Sequence, residues 1–182
     1  MKPIDFPQED FSKTAVAFRR PQASDGQRIW EIARDSRVLD VNSPYSYILW
    51  SQEFSETSIV AEVDGVPIGF VTGYRRPADP ASLMVWQVAV DDAHRGKQIA
   101  KRMLCELFHR GTQAGVTAIN TTISPDNEAS QRLFAGVARA LGLNFSHQPF
   151  FAAELFPNVS DDGLRESASH QPEDLYLLTP AD

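Results

Sequence analysis

The feature that most constrains this chain is a strand running straight into a basic turn and a long helix, residues 85–102 (VWQVAVDDAHRGKQIAKR). The apolar, β-branched run from Leu83 to Val90 reads as a strand with most of its surface buried. Asp91 and Asp92 break it, and Arg95-Gly96-Lys97-Gln98-Ile99-Ala100 opens an amphipathic pattern that continues to Gln113. The first N–H groups of a helix have no partner inside it and sit at the positive end of its dipole. A basic, glycine-containing turn at that point is a binding place for an anion, most often a phosphate or pyrophosphate.

Around this unit the chain reads as a succession of short elements. Residues 1–13 are polar and predict a poorly ordered tail ahead of a single domain over 14–182. Ala15-Val16-Ala17-Phe18 predicts a short strand. Ser24 is placed to cap a helix over 25–36, with Ile29, Trp30, Ile32 and Ala33 as its apolar stripe. A break at 39–44 precedes an aromatic-rich helix over 45–54. Asp64-Gly65 lies between apolar runs at 58–63 and 66–74, the signature of a hairpin whose turn needs positive φ. A proline-rich loop over 76–80 leads to the 83–90 strand. The basic turn opens a helix over 95–113 that Gly115 stops; a strand over 117–123 and a helix over 127–141, ended by Gly142, follow. Residues 145–156 predict a strand pair or a bulged strand, 160–173 a polar, acidic loop, and 174–178 a last strand. The order is β-α-α-β-β-β-α-β-α-β-β, a mixed α/β domain.

Composition narrows the functional classes. With 182 residues, 42% hydrophobic and 23% charged, the chain can bury a core without staples. Its single cysteine, Cys105, lies within a helical pattern, so no disulfide framework is expected and a reducing cytoplasm is the simple setting. No apolar run approaches the ~18 residues of a membrane span, and residues 1–10 carry no signal-peptide core. A formal net charge of −7 disfavours a nucleic-acid surface, which needs clustered Lys and Arg, and is compatible with a small cationic substrate. His94, His109, His147 and His170 show no ligand spacing, so no metal is expected.

A second motif, Asn127-Glu128-Ala129-Ser130-Gln131-Arg132-Leu133-Phe134, lies one strand beyond the basic turn. With Val66-Pro67-Ile68-Gly69-Phe70, Gln87-Val88-Ala89-Val90 and the turn itself, it makes the chain from about Ala15 to Phe151 resemble the GCN5-related N-acetyltransferases. The resemblance implies a central, mostly antiparallel, twisted sheet of six to seven strands flanked by helices on both faces, and acetyl-CoA as co-substrate. The family's Arg/Gln-x-x-Gly-x-Gly/Ala turn wraps the coenzyme A pyrophosphate with main-chain N–H groups, here over Arg95, Gly96, Lys97, Gln98, Ile99 and Ala100, with Val88 and Val90 on the adjoining strand. Gln98 stands where the family has its central glycine; a helical φ/ψ there accepts any residue, at the loss of room for close approach. In the family's Asn-x-x-Ala/Ser-x-x-Leu-Tyr pattern the Asn bonds the pantetheine arm and the Tyr protonates the leaving thiolate. Asn127, Ser130 and Leu133 match, but Phe134 replaces the Tyr and has no hydroxyl. Either another group substitutes (Tyr45, Tyr47, Tyr74 or His147), or the thiolate leaves unassisted, as a thiol with pKa near ~8.5 permits. Glu128 reads as a first-turn acid that complements the helix dipole.

A narrower resemblance covers nearly the whole chain. Residues 37–47 (RVLDVNSPYSY), 73–77, 85–90, 151–156 (FAAELF) and 172–176 (PEDLY) look like the L-2,4-diaminobutyrate acetyltransferases of ectoine synthesis. This implies acetyl transfer to the γ-amine of diaminobutyrate, giving N4-acetyl-2,4-diaminobutyrate. A site for that zwitterion needs carboxylates facing its amines and a cation or N–H group for its carboxylate. Asp40 is a candidate ammonium partner, or an ordinary Asx-turn residue. Tyr45 and Glu154 are further substrate candidates, although alternation leaves the direction of Glu154 open. Trp86 either offers its ring face to an ammonium or packs in the core. The amine, protonated at neutral pH with a pKa near ~10.4, loses a proton before direct attack in a ternary complex, with a main-chain N–H of the 87–90 strand on the oxyanion. Cys105, deep in its helix, is a poor nucleophile candidate. Two other readings stay open: an acetyltransferase for another amine (a polyamine, an aminoglycoside or a protein N-terminus), and a non-catalytic acetyl-CoA-binding module, compatible with Phe134. A homodimer through the aromatic C-terminal segment and last strand is expected, with no nucleic-acid or membrane partner.

Overall fold

The computed structural model describes residues 16–156 and 171–181. The expected tail over 1–13, His170 and most of the expected loop over 160–173 lie outside the described residues. The elements are β1 (Ala17–Arg19), α1 (Gly26–Ser36), α2 (Pro44–Glu53), β2 (Ile59–Val63), β3 (Val66–Arg76), β4 (Asp79–Val90), α3 (Ile99–Gln113), β5 (Ala118–Ile123), α4 (Glu128–Leu141), β6 (Leu143–Phe151) and β7 (Glu173–Pro180). Their order is the one expected from the sequence. The strands form one seven-stranded sheet, β1-β2-β3-β4-β5-β7-β6, in which only β4 and β5 run parallel.

Alternation along the strands builds a core on each face. Ile59, Ala61 and Val71 pack with Met103, Leu104 and Leu107 of α3 and with Phe134 and Val137 of α4. The intervening Val60 and Phe70 pack with Ile29, Ile32 and Ala33 of α1 and with Tyr47 of α2. Helices therefore cover both faces. In the β2–β3 hairpin, Asp64 and Gly65 take φ of 51° and 79°, as a two-residue turn with positive φ at both positions demands. Gly26 lets α1 and α2 meet closely, since a Cβ there would lie 2.7 Å from Ile48 Cγ1.

Several local expectations are corrected. Ser24 does not cap α1; it lies in a 3-10 turn, Ala23–Asp25, and Asp25 instead turns its carboxylate back to Gln22 N–H (2.7 Å) and Arg19 (2.6 Å). The 76–80 stretch is not a loop, because β3 runs to Arg76 and β4 starts at Asp79. Pro80 is tolerated there because the β5 ladder starts only at Ser82. Of the two readings for 145–156 the bulged strand holds and the strand pair does not: β6 shifts register between Pro149 and Phe151 and is followed by a 3-10 turn, Ala153–Leu155.

Two irregularities in β4 shape the centre of the molecule. The β4–β5 ladder stops at Val85↔Thr121, so the two parallel strands part beyond it. On the other side Thr72 pairs with Gln87 but Gly73 with Val85, which leaves Trp86 as the extra residue of a β-bulge. The bulge breaks the alternation expected at Trp86. Trp86 and Gln87 both face α2, where Trp86 stacks on Trp50 (6.3 Å, 11°) and Gln87 meets Tyr47.

Candidate active site

The basic turn is built differently from the sequence expectation. Arg95 to Gln98 are not helical; α3 begins at Ile99. Gln98, the N-cap, is left-handed at φ 56° and ψ 18°, and Gly96 has φ 78°. The expected helical conformation at Gln98 is therefore overturned. The position is one that glycine occupies without strain and other residues only at a cost, which is the physical reason a glycine suits it. Arg102 is the first α3 residue whose N–H reaches a carbonyl of this turn, that of Gln98 at 3.0 Å. The N–H groups of Ile99, Ala100 and Lys101 are thus left at the helix start for an anion. Arg95 is held by Asp92 (2.7 Å) and, more weakly, by Val90 O (3.4 Å).

Where β4 and β5 part, a cavity of about 430 Å³ opens. Val85, Trp86, Gln87 and Val88 form one wall, and Thr121 to Ser124 the other. Asn127, Ser130 and Phe134 of the α4 start close one end. Val38, Leu39, Asp40 and Asn42 enter from the α1–α2 loop, and Phe151, Phe156, Gln171 and Glu173 from the C-terminal part. Asn127 caps α4 by accepting from Ser130 N–H through Oδ1 (3.0 Å), which fixes its side chain at the cavity. Phe134 is 2% exposed; it packs in the core and also lines the cavity. Asp40, Asp126 and Glu173 contribute carboxylates, whereas no Lys, Arg or His lines the cavity among the described residues.

The site candidates divide clearly. Asp40, Trp86, Val88, Asn127, Ser130 and Phe134 come together around the cavity. Val90, at the end of β4, and the turn from Arg95 to Ala100 that leads into α3 do not line the cavity. Tyr45, 68% exposed on the first turn of α2, and Glu154, exposed in the 3-10 turn after β6, do not line it. His147 lies on β6, its Nδ1 3.0 Å from Asp174 and its ring stacked on Tyr176 (4.9 Å). Tyr74 packs near Trp50 (6.2 Å). Tyr47 is 1% exposed and its hydroxyl donates to Gln87 Oε1 (3.1 Å). Cys105 is buried, and burial pushes its thiol up to about 11, so it is not a nucleophile.

Sequence reasoning missed Asn42, Gln87, Asp126 and Glu173. Gln87 had a signal, a lone amide inside an apolar strand, and Glu173 lies in the PEDLY ending noted for its resemblance. Asn42 likewise lies in the 37–47 stretch noted for its resemblance, and nothing local marks Asp126. Among the described residues no helix is long and apolar enough to cross a membrane, and no group of His, Cys, Asp and Glu is arranged to hold a metal.

Residues 26–137 match the acetyltransferase (GNAT) family. The chain is 45% identical over 180 residues to the L-2,4-diaminobutyric acid acetyltransferase of Nocardia farcinica, covering 98% of this chain and 88% of that one. It is 48% identical over 163 residues to the enzyme of the same name from Streptomyces avermitilis, covering 88% and 86%. The diaminobutyrate acetyltransferase of Paenibacillus lautus, solved in complex with its substrate L-2,4-diaminobutyric acid and coenzyme A, superposes with a TM-score of 0.82 at 41% identity, covering 92% of this chain and 96% of that one. The family match over most of the chain, together with these identities over nearly its full length, shows that this chain belongs to the acetyltransferase (GNAT) family and, within it, to the diaminobutyric acid acetyltransferases.

Proposed function

We propose that this chain transfers the acetyl group of acetyl-CoA to the γ-amine of L-2,4-diaminobutyrate, giving N4-acetyl-2,4-diaminobutyrate, the precursor of ectoine. The observation that carries this reading is the charge of the cavity: Asp40, Asp126 and Glu173 line it, with no basic side chain among the described residues. A small diamine is attracted there, while Asn42, Thr121 and Ser124 offer donors for its single carboxylate and Trp86 offers a ring face. The N–H groups at the start of α3 fit the pyrophosphate, and Asn127, Ser130 and Phe134 fit the arm that leads to the acyl group.

The amine binds as an ammonium and reacts as a free base, so its proton leaves first. Asp40 and Glu173, on the acceptor side, are the carboxylates to receive it, directly or through water. Attack on the thioester is direct, in a ternary complex, since the buried Cys105 thiol is unsuited to an acyl-enzyme. β4 beyond Val85 has parted from β5, and its main-chain N–H supports the oxyanion. The thiolate leaves unassisted: Phe134 has no hydroxyl, the Tyr47 hydrogen points at Gln87, and Tyr45, Tyr74 and His147 lie outside the cavity. The activity belongs to a single domain over 14–182, working in the cytoplasm as a homodimer. The exposed Phe145, Phe150, Phe151 and Leu155 on and beside the edge strand β6 supply an apolar surface for a second copy.

Purified protein with acetyl-CoA and diaminobutyrate tests the reading, with thiol release as the rate and NMR of the product for the acetylated nitrogen. Ornithine, lysine and spermidine run in parallel. N4-acetylation with about a tenfold or larger preference for diaminobutyrate is expected. Equal turnover of all four amines, or acetyl-CoA binding with no thiol release, refutes it.

A further inference from the structure

The loop that carries Asp40 and Asn42 is tied to the catalytic strand by two side chains that form a closed, directional ring. The Asp40 carbonyl accepts from Gln87 Nε2 at 2.8 Å. A carbonyl only accepts, so this contact fixes which end of the Gln87 amide faces the loop. Gln87 Oε1 is left to accept from the Tyr47 hydroxyl at 3.1 Å. With its hydrogen so committed, the Tyr47 oxygen accepts from Asn42 N–H at 3.3 Å. Asp40 C=O and Asn42 N–H, two residues apart, are therefore read by one amide–phenol pair contributed by β4 and α2. Both members are shielded from water, Gln87 at 7% and Tyr47 at 1% exposure. Tyr47 is further held edge-on by Phe70 (6.2 Å, 81°). Gln87 can face α2 beside Trp86 only because the bulge breaks the alternation of β4.

We infer that Gln87 and Tyr47 are positioning residues that set the acceptor-amine wall, holding Asp40 and Asn42 over the parted strands without Tyr47 touching the substrate. This rests on the cavity's Asp40 side being the amine site. Breaking the ring frees the loop but leaves the anion turn and the Asn127 end as they are, so it acts on one substrate and not on the other. Tyr47→Phe keeps the buried ring and deletes the phenol. Gln87→Met keeps the side-chain length, deletes both the donor to Asp40 C=O and the acceptor for Tyr47, and adds no charge to the cavity wall.

The experiment measures KM for diaminobutyrate and for acetyl-CoA, thermal midpoints, and hydrogen exchange of residues 37–43 in the full chain. Each variant is expected to raise the amine KM by about fivefold to thirtyfold, to leave the acetyl-CoA KM within about twofold, and to speed exchange in 37–43. The double variant is expected to be little worse than the worse single one, since both break one ring. Unchanged exchange in 37–43, or both KM values rising together with a lowered thermal midpoint, overturns the positioning role. Should one variant fail to fold, the other decides. Faster exchange in 37–43 with an unmoved amine KM shows the ring to be structural only and likewise overturns it. A wild-type chain inert toward diaminobutyrate refutes instead the substrate reading, and exchange still reports on the ring.

Discussion

Asp40→Asn removes one of the carboxylates that line the cavity while keeping side-chain shape and the backbone carbonyl that Gln87 holds. An ammonium about 4 Å from a carboxylate is attracted by about 4 kcal/mol at an effective dielectric near ~20. Asp40 is exposed, so water screens the pair, and Asp126 and Glu173 stay in place after the change. About half of the attraction, ~2 kcal/mol, is then expected to be lost, or about 30-fold in kcat/KM for diaminobutyrate. The assay is thiol release with diaminobutyrate titrated at saturating acetyl-CoA, and the reverse titration as internal control. The loss is expected to shrink as salt is raised, because the pair is partly open to solvent. An unchanged kcat/KM for the amine, or an equal loss for acetyl-CoA, would remove Asp40 from the acceptor wall.

Other perturbations probe the remaining parts. Gln98→Val puts a β-branched residue at φ 56°, and is expected to cost about 1–2 kcal/mol in denaturant unfolding and to raise the acetyl-CoA KM while sparing the amine KM; unaltered stability would mean the turn relaxes. Phe134→Tyr restores a hydroxyl where the family carries one; if the thiolate leaves unassisted, kcat should change by less than about threefold, and a rise of about tenfold would show that protonation limits the rate. Burial alone would raise the Asp25 carboxyl, but the Arg19 guanidinium and Gln22 N–H outweigh it and hold it below the ordinary range. That stabilisation is present above the unfolded-state value and lost as pH falls through the folded one. Asp25→Asn should therefore lower the thermal midpoint at neutral pH, with the gap to wild type closing in acid; a gap that stays constant down to pH ~3 would sink this.

The parts of this protein readable without a structure are those where local chemistry leaves little choice. Element order follows from hydrophobic period, from Asp64-Gly65 and from Gly142, each acting on its neighbours in the chain. The basic residues ahead of α3 and the Asn127 helix start are equally local, because a turn and a cap are set by neighbours in the chain. Even the departure at Phe134 is visible in the letters, since no fold can give phenylalanine a hydroxyl. Tertiary structure decided what depends on residues distant in sequence. Left-handed Gln98 emerges from how the turn leaves β4 and enters α3, which a periodicity argument cannot see. The bulge at Trp86 comes from the register between β3 and β4, and it alone puts Trp86 and Gln87 on one side. Asp40 meets Gln87 across 47 residues. Glu173 reaches the cavity because β7 inserts between β5 and β6, whereas Glu154, in an equally suggestive stretch, lies in a 3-10 turn outside it. A strand pattern states which residues alternate; only the pairing of strands states which of them share a cavity.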